Sequence, residues 1–284
     1  MTLEGPVEMR RKDLVVPTVL SIDPAVAWHE NRRRMAVLLG VFLAAAAAEG
    51  LVVGIVISRP LTGLVAFIAV ALCYLVVGAR LGDGWIKHAL RLEPATSPDA
   101  ESLLSAVASR SGIAVPELLR SAGDGPNGLA LGLRRRWIAV TAGAESLDRL
   151  ELEALLAHEL AHLRDGDAAL ASAFVLVGGS IELAARSTGA RGAVLAFIAV
   201  PVWPACVVVR ALRVPLFGVD REHRADVVGA LLTRYPPGMY HVLRRAGPGQ
   251  GPARLRSTDP FWFVPRVEVG GPDLARRADL VEEM

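Results

Sequence analysis

Long uninterrupted apolar runs constrain this chain more than any other feature of its sequence. Met35 to Ile57 is a run of 23 residues whose one charge is Glu49, and Leu61 to Ala79 follows with no charge at all. A helix rises about 1.5 Å per residue, so each run is long enough for a hydrocarbon core of roughly 30 Å, the first with some tilt. The short Ser58-Arg59-Pro60 link between them predicts a transmembrane hairpin. A signal peptide is the competing reading of the first run and fits poorly, because 34 residues precede the run and its length exceeds a typical signal core. Two later runs, Ala168 to Ala185 with Glu182 and Ala193 to Val209 with Pro201 and Pro204, are marginal for spanning. The tight Arg186–Gly192 link nevertheless suits a second membrane hairpin over 168–212, with buried helices as the alternative.

Charge placement gives an orientation. Arg32, Arg33 and Arg34 abut the first run, and Arg80, Lys87 and Arg91 follow the second, whereas the intervening loop offers Arg59 alone. The positive-inside rule then places the N-terminus and the polar middle of the chain on the cytoplasmic side of a multi-pass cell-membrane protein. A formal net charge of +2 is too small to imply a nucleic-acid partner. The two cysteines, Cys73 and Cys206, fall inside apolar runs, so neither a disulfide framework nor a cysteine zinc site is expected.

The organisation read from this pattern is an N-terminal cytoplasmic tail (1–34), a transmembrane hairpin (35–79), a first polar block (80–167), the second hydrophobic hairpin (168–212) and a second polar block (213–284). The tail carries Pro6, Pro17 and Pro24 among mixed charges, which predicts disorder or loose association. In the first block, Leu103, Leu104 and Val107 recur at helical spacing over Pro98–Ser111, ending near Gly112. Leu129-Ala130-Leu131, a Gly132–Arg136 turn and Trp137–Thr141 read as a β-hairpin.

The chemistry lies at the end of that block. Asp148 and Glu151 have capping-box spacing and open a helix with an apolar face of leucines. On it stand His158-Glu159-Leu160-Ala161-His162. A separation of four places both imidazoles on one helix face, about a turn apart, where a single ion can be held between them. Zinc suits such a site because it accepts neutral imidazole in tetrahedral geometry. Zinc lowers the pKa of a coordinated water to about 7, and the neighbouring Glu159 can take the proton as a peptide carbonyl is attacked. Two histidines leave the ion short of a protein ligand. His29, His88, His241 and the segment Arg221-Glu222-His223-Arg224-Ala225-Asp226 hold the candidates. Glu222 and Asp226 share a helix face, so one carboxylate could bind zinc while the other accepts the N–H of a ligating imidazole. From spacing alone, Glu222 and His223 are equal candidates for the third ligand. Tyr235, Tyr240, His241 and Arg221 are candidates for stabilising an oxyanion.

The segment His158 to Asp167 resembles the extended H-E-x-x-H-x-x-x-G-D pattern of the HtpX-like membrane zinc metallopeptidases, relatives of the CAAX prenyl endopeptidases. Glu222 to Asp226 is similar to that family's E-x-x-A-D motif, and Pro126-Asn127-Gly128-Leu129-Ala130 to its N-A-x-A segment. Ser257-Thr258-Asp259-Pro260-Phe261 resembles a late S-T-H-P-P segment, with Asp259 in place of the histidine. The resemblance implies a mainly α integral membrane protein with a helical, gluzincin-like zinc metallopeptidase domain and a small β-sheet. It implies one Zn2+ per chain held by His158, His162 and Glu222, with Asp226 behind the ligands and Glu159 as the catalytic base. It also implies that Asn127 and Leu129, on the strand Asn127–Leu131, bind substrate backbone by edge addition. The expected activity is endopeptidase cleavage of membrane or misfolded proteins, with a protein or peptide substrate and the lipid bilayer as partners. Nothing in the sequence sets an oligomeric state.

Three rival readings stay open. A sensor-transducer metallopeptidase of the β-lactam-receptor type shares H-E-x-x-H and a later Glu…Asp pair, but needs an extracellular ligand-binding domain for which no stretch of suitable length exists here. An intramembrane site-2-type protease would carry its motif inside a span, whereas His158 follows a polar helix start. A non-catalytic membrane scaffold with a structural metal would have no need of Glu159.

Overall fold

The computed structural model describes residues 23–217, 220–246, 255–265 and 274–284. Two long helices dominate one end, α1 (Pro24–Val56) and α2 (Pro60–Leu90). Their crossing is close because small residues line it. A Cβ added at Gly63 would lie 2.2 Å from the Gly50 carbonyl oxygen and 2.6 Å from the Gly54 Cα, so the backbones meet where Gly50-x-x-x-Gly54 faces Gly63. Val52, Ile55, Val56, Leu61 and Val65 remain exposed around this pair, an apolar surface of the kind a bilayer covers.

Both helices run beyond the apolar runs. The expected tail ends at Arg34, yet α1 begins at Pro24, and the expectation of disorder for the first 22 residues lies outside the described residues. The physical reason is local. Asp23 caps the helix by accepting from the Ala25 N–H, and Pro24 occupies the first helical position, where its missing N–H costs nothing.

A mixed four-stranded sheet follows: β1 (Glu93–Pro94), β2 (Glu117–Ser121), β3 (Gly128–Leu131) and β4 (Trp137–Thr141), in the order β1-β2-β4-β3. Between its first two strands lies α3 (Pro98–Ser111), capped by Ser97 and closed by Gly112 at φ 71°. The β3–β4 hairpin pairs Leu129 with Ala139 and Leu131 with Trp137. Asp83 of α2 accepts from the amides of Leu133, Arg134 and Arg135, tying the hairpin tip to the long helices. Beneath the sheet runs α4 (Arg149–Asp165), with the expected capping box formed by Asp148 and Glu151.

The next apolar stretch departs from the sequence reading. In place of one straight arm over Ala168–Ala185 there are α5 (Asp167–Gly178) and α6 (Ser180–Arg186), bent by 76° at Gly179. Nearly every residue of α5 is buried, with Leu170, Phe174 and Val175 in the core shared with α1 and α2. The bend sits where the chain approaches closely, since a Cβ at Gly179 would meet the Ser257 Oγ at 2.5 Å. Then come α7 (Gly189–Ala199) and α8 (Trp203–Ala211), joined through a short 3-10 turn. By length and composition three helical stretches could cross a membrane, Pro24–Val56, Pro60–Leu90 and Gly192–Ala211, with the bent α5–α6 pair as a fourth. Finally α9 (Arg213–Phe217), α10 (Arg221–Thr233), α11 (Pro236–Arg245), a 3-10 segment (Arg256–Phe261) and α12 (Leu274–Glu282) pack back onto α4 and the sheet.

Candidate metal centre

The site is built where α4 and α10 touch. Gly229 makes that contact possible, because a Cβ there would lie 3.0 Å from the backbone nitrogen of His158. His158 and His162 present their Nε2 atoms to each other at 3.1 Å. Glu222 completes the group, with Oε2 3.3 Å from His158 Nε2 and Oε1 3.8 Å from His162 Nε2. Bonds of about 2.0–2.1 Å at tetrahedral angles separate donor atoms by about 3.3 Å, so these three spacings fit one zinc-sized ion. Among the described residues this is the cluster of histidine, cysteine and acidic side chains that could hold a metal. It contains Glu222, whereas His223, His29, His88 and His241 fall outside it.

Each imidazole is held from behind by a carboxylate. Asp226 Oδ1 lies 2.9 Å from His158 Nδ1, and Asp167 Oδ2 lies 2.9 Å from His162 Nδ1. This is the arrangement that fixes a ligating histidine's tautomer and ring orientation. Asp167 reaches back because Gly166, at φ 80°, ends α4 in the left-handed region and lets α5 start at once. Two arginines tie the carboxylates together. Arg221 donates through Nε to Asp167 and through Nη1 to Glu222, both at 2.9 Å. Arg277 donates to both Asp226 oxygens at 2.7 and 2.8 Å, a buried bidentate pair, and lies 3.5 Å from Glu222.

The electrostatics follow from this network. Burial alone would push the Asp226 and Glu222 carboxyls up, but Arg277 outweighs it at Asp226 and Arg221 at Glu222, so both stay ionised well into acid. Burial pulls the His158 imidazole down, yet Asp226 and Glu222 more than offset this and raise it to about 9. Glu159 differs from its neighbours. It is wholly buried, neither carboxylate oxygen has a hydrogen-bond partner, and burial raises its affinity for a proton against the opposing pull of the histidines. An unpartnered carboxylate beside a cluster of metal-type donors has the chemistry of a general base rather than of a structural acid.

Asn127 and Leu129 are both buried, at 0% exposure. Gly128 between them touches Glu159, since a Cβ there would meet its Oε1 at 2.7 Å. Of the four oxyanion candidates, Arg221 lies in the cluster, whereas Tyr235 and His241 are exposed and Tyr240 packs against His241 and Arg244. The sequence reading missed Asp167 and Arg277. In the sequence Asp167 stands out only as the last residue of the extended histidine motif. Arg277 betrays itself by spacing, because Leu274, Arg277, Ala278 and Val281 fall on one helical face and all but the arginine are apolar.

Comparison with known proteins places the chain in a family. The profile of peptidase family M48 matches residues 94–268. A protein described as a protease HtpX homolog from Lactobacillus acidophilus is 26% identical over 256 residues, covering 81% of this chain and 85% of its own length. The protease HtpX homolog of Leuconostoc mesenteroides is 25% identical over 297 residues, covering 90% and 98%. That of Listeria monocytogenes is 25% identical over 249 residues, covering 76% and 81%. No solved structure matches the chain.

Proposed function

The chain belongs to peptidase family M48, among its HtpX-like membrane proteases, and from that premise we propose that it is a multi-pass zinc endopeptidase whose catalytic site faces the cytoplasm. The observation that carries this reading is the convergence of His158, His162 and Glu222 at zinc-compatible separations beside the unpartnered carboxylate of Glu159. Zinc bound there would polarise a peptide carbonyl and acidify the water in its open position to a pKa of about 7.

The chain's own residues do the rest. Asp226 and Asp167 hold the two imidazoles with their Nε2 atoms facing each other, where they would hold the ion, and Arg221 and Arg277 keep those carboxylates charged. Glu159 accepts the proton released as water attacks the carbonyl, then returns it to the leaving amine. Its burial suits this exchange, because a carboxylate stripped of water binds a proton more tightly than one in solution. The β3 strand, which touches Glu159 at Gly128, would align an extended substrate once its outer edge is free. Membrane and misfolded proteins are the substrate class that fits a site tethered to the bilayer and needing an extended chain. The arginines at 32–34, 80 and 91 support the cytoplasmic orientation.

Glu159→Gln tests the reading. It should retain its metal and lose about 10²- to 10⁴-fold of casein hydrolysis. Unchanged proteolysis would remove Glu159 as the base.

A further inference from the structure

The outer edge of β3 is already paired. Trp262 bridges Leu129 in antiparallel register, and the Phe263 N–H donates to the Gly128 carbonyl at 2.9 Å. The Asn127 side chain brackets the next residue, donating to the Val264 carbonyl at 2.8 Å and accepting from the Val264 N–H at 3.0 Å. An extended peptide added to β3 would compete for this same edge, the Gly128 carbonyl included, since β4 takes the other. The segment also enters the metal centre. The Phe263 ring meets His158 edge-on at 4.8 Å, and its carbonyl accepts from Arg277 at 2.8 Å. Phe261, Trp262, Phe263 and Val264 are each 1% exposed.

Resting on the endopeptidase reading above, we propose that residues 255–264 hold the substrate's place on β3, and that a substrate enters by exchanging with them. One face of the site is a strand-binding edge, and the chain fills it with its own strand. The edge hydrogen bonds themselves cost little to exchange for equivalent ones. The segment also gives up the burial of Phe261, Trp262, Phe263 and Val264 and the Arg277 bond to the Phe263 carbonyl, so a substrate strand must supply apolar side chains as well as backbone partners. The exchange therefore favours extended polypeptide, which offers a run of backbone donors and acceptors, over folded proteins, which do not.

One fastening of this segment lies outside the catalytic machinery. Glu182, on α6 just past the bend, accepts from the Arg256 N–H at 2.6 Å and the Ser257 N–H at 3.0 Å. An ionisable residue in an apolar run has here a definite task, pinning the start of the place-holding segment to the helix pair α5–α6. Loosening it should favour exchange, and Glu182 itself is no member of the metal-type cluster.

The test uses full-length protein in detergent with zinc added. Hydrogen exchange of the 257–264 region is followed in Glu159→Gln with and without casein. Exchange should rise in that region while casein is bound. Undiminished protection with casein bound would overturn the proposal while leaving the peptidase reading intact. If the wild type does not cleave casein at all, the peptidase reading fails and takes the proposal with it. Glu182→Ala supplies an independent arm, in which the KM for casein should fall about tenfold with kcat and zinc content kept. An unchanged or raised KM in a variant that still holds its zinc would count against a competing segment fastened by Glu182.

Discussion

His158 and His162 illustrate why a residue's neighbours decide its use. Two imidazoles a helical turn apart become a metal site only when each ring is locked, and here Asp226 and Asp167 lock them. Loss of such a partner typically weakens a metal site 10- to 100-fold. Asp167→Asn should accordingly lower zinc affinity by about that factor in chelator competition, and unaltered affinity would mean that His162 is oriented by other contacts. The ligating pair and the base were legible in the sequence because they sit on one helix, where spacing translates directly into geometry. The third ligand was not decided by spacing, since Glu222 and His223 are adjacent and a one-residue rotation on α10 selects between them. The burial of Arg277 is signalled by the apolar face it sits on, but its partner is not. Arg277 meets Asp226 across 51 positions of chain, and no local pattern encodes that encounter.

At the scale of elements, local signals set the structure wherever the chain closes its own hydrogen bonds. Ser97 and Gly112 bound α3, Asp148 and Glu151 open α4, and Gly132 turns the β3–β4 hairpin, as their residue types lead one to expect. Tertiary contact overrides the apolar pattern in two places. The beginning of α1 is drawn onto the active-site helix, where Trp28 and Asn31 donate to the last carbonyls of α4 at Arg164 and Asp165. The 168–185 stretch bends at Gly179 because the chain near Ser257 must pass there, a constraint that hydropathy does not carry. The α1–α2 crossing gives an element-scale prediction. Gly63→Leu drives a side chain into the Gly50 and Gly54 backbone and should cost about 1–3 kcal/mol or more. That cost should appear as a lowered thermal midpoint in detergent, and an unchanged midpoint would mean the helices are free to separate there.

For the whole molecule, the apolar helices and the catalytic cluster form one body, not an enzyme on a loose anchor. The buried core that includes Leu38, Phe42 and Tyr74 of the long helices also contains Leu129 and Trp137 of the sheet and Trp262 of the late segment. Reporter fusions placed at Pro60 and Ser121 should report opposite sides of the membrane, with Ser121 cytoplasmic; the reverse assignment would move the site to the other face without altering its chemistry. The central claim concerns the ion itself, and zinc content is its most direct measure. Purified wild-type protein should carry about one zinc per chain and Glu222→Ala far less, because two imidazoles alone leave the coordination incomplete. A full equivalent retained by Glu222→Ala, or none in the wild type, would contradict the account.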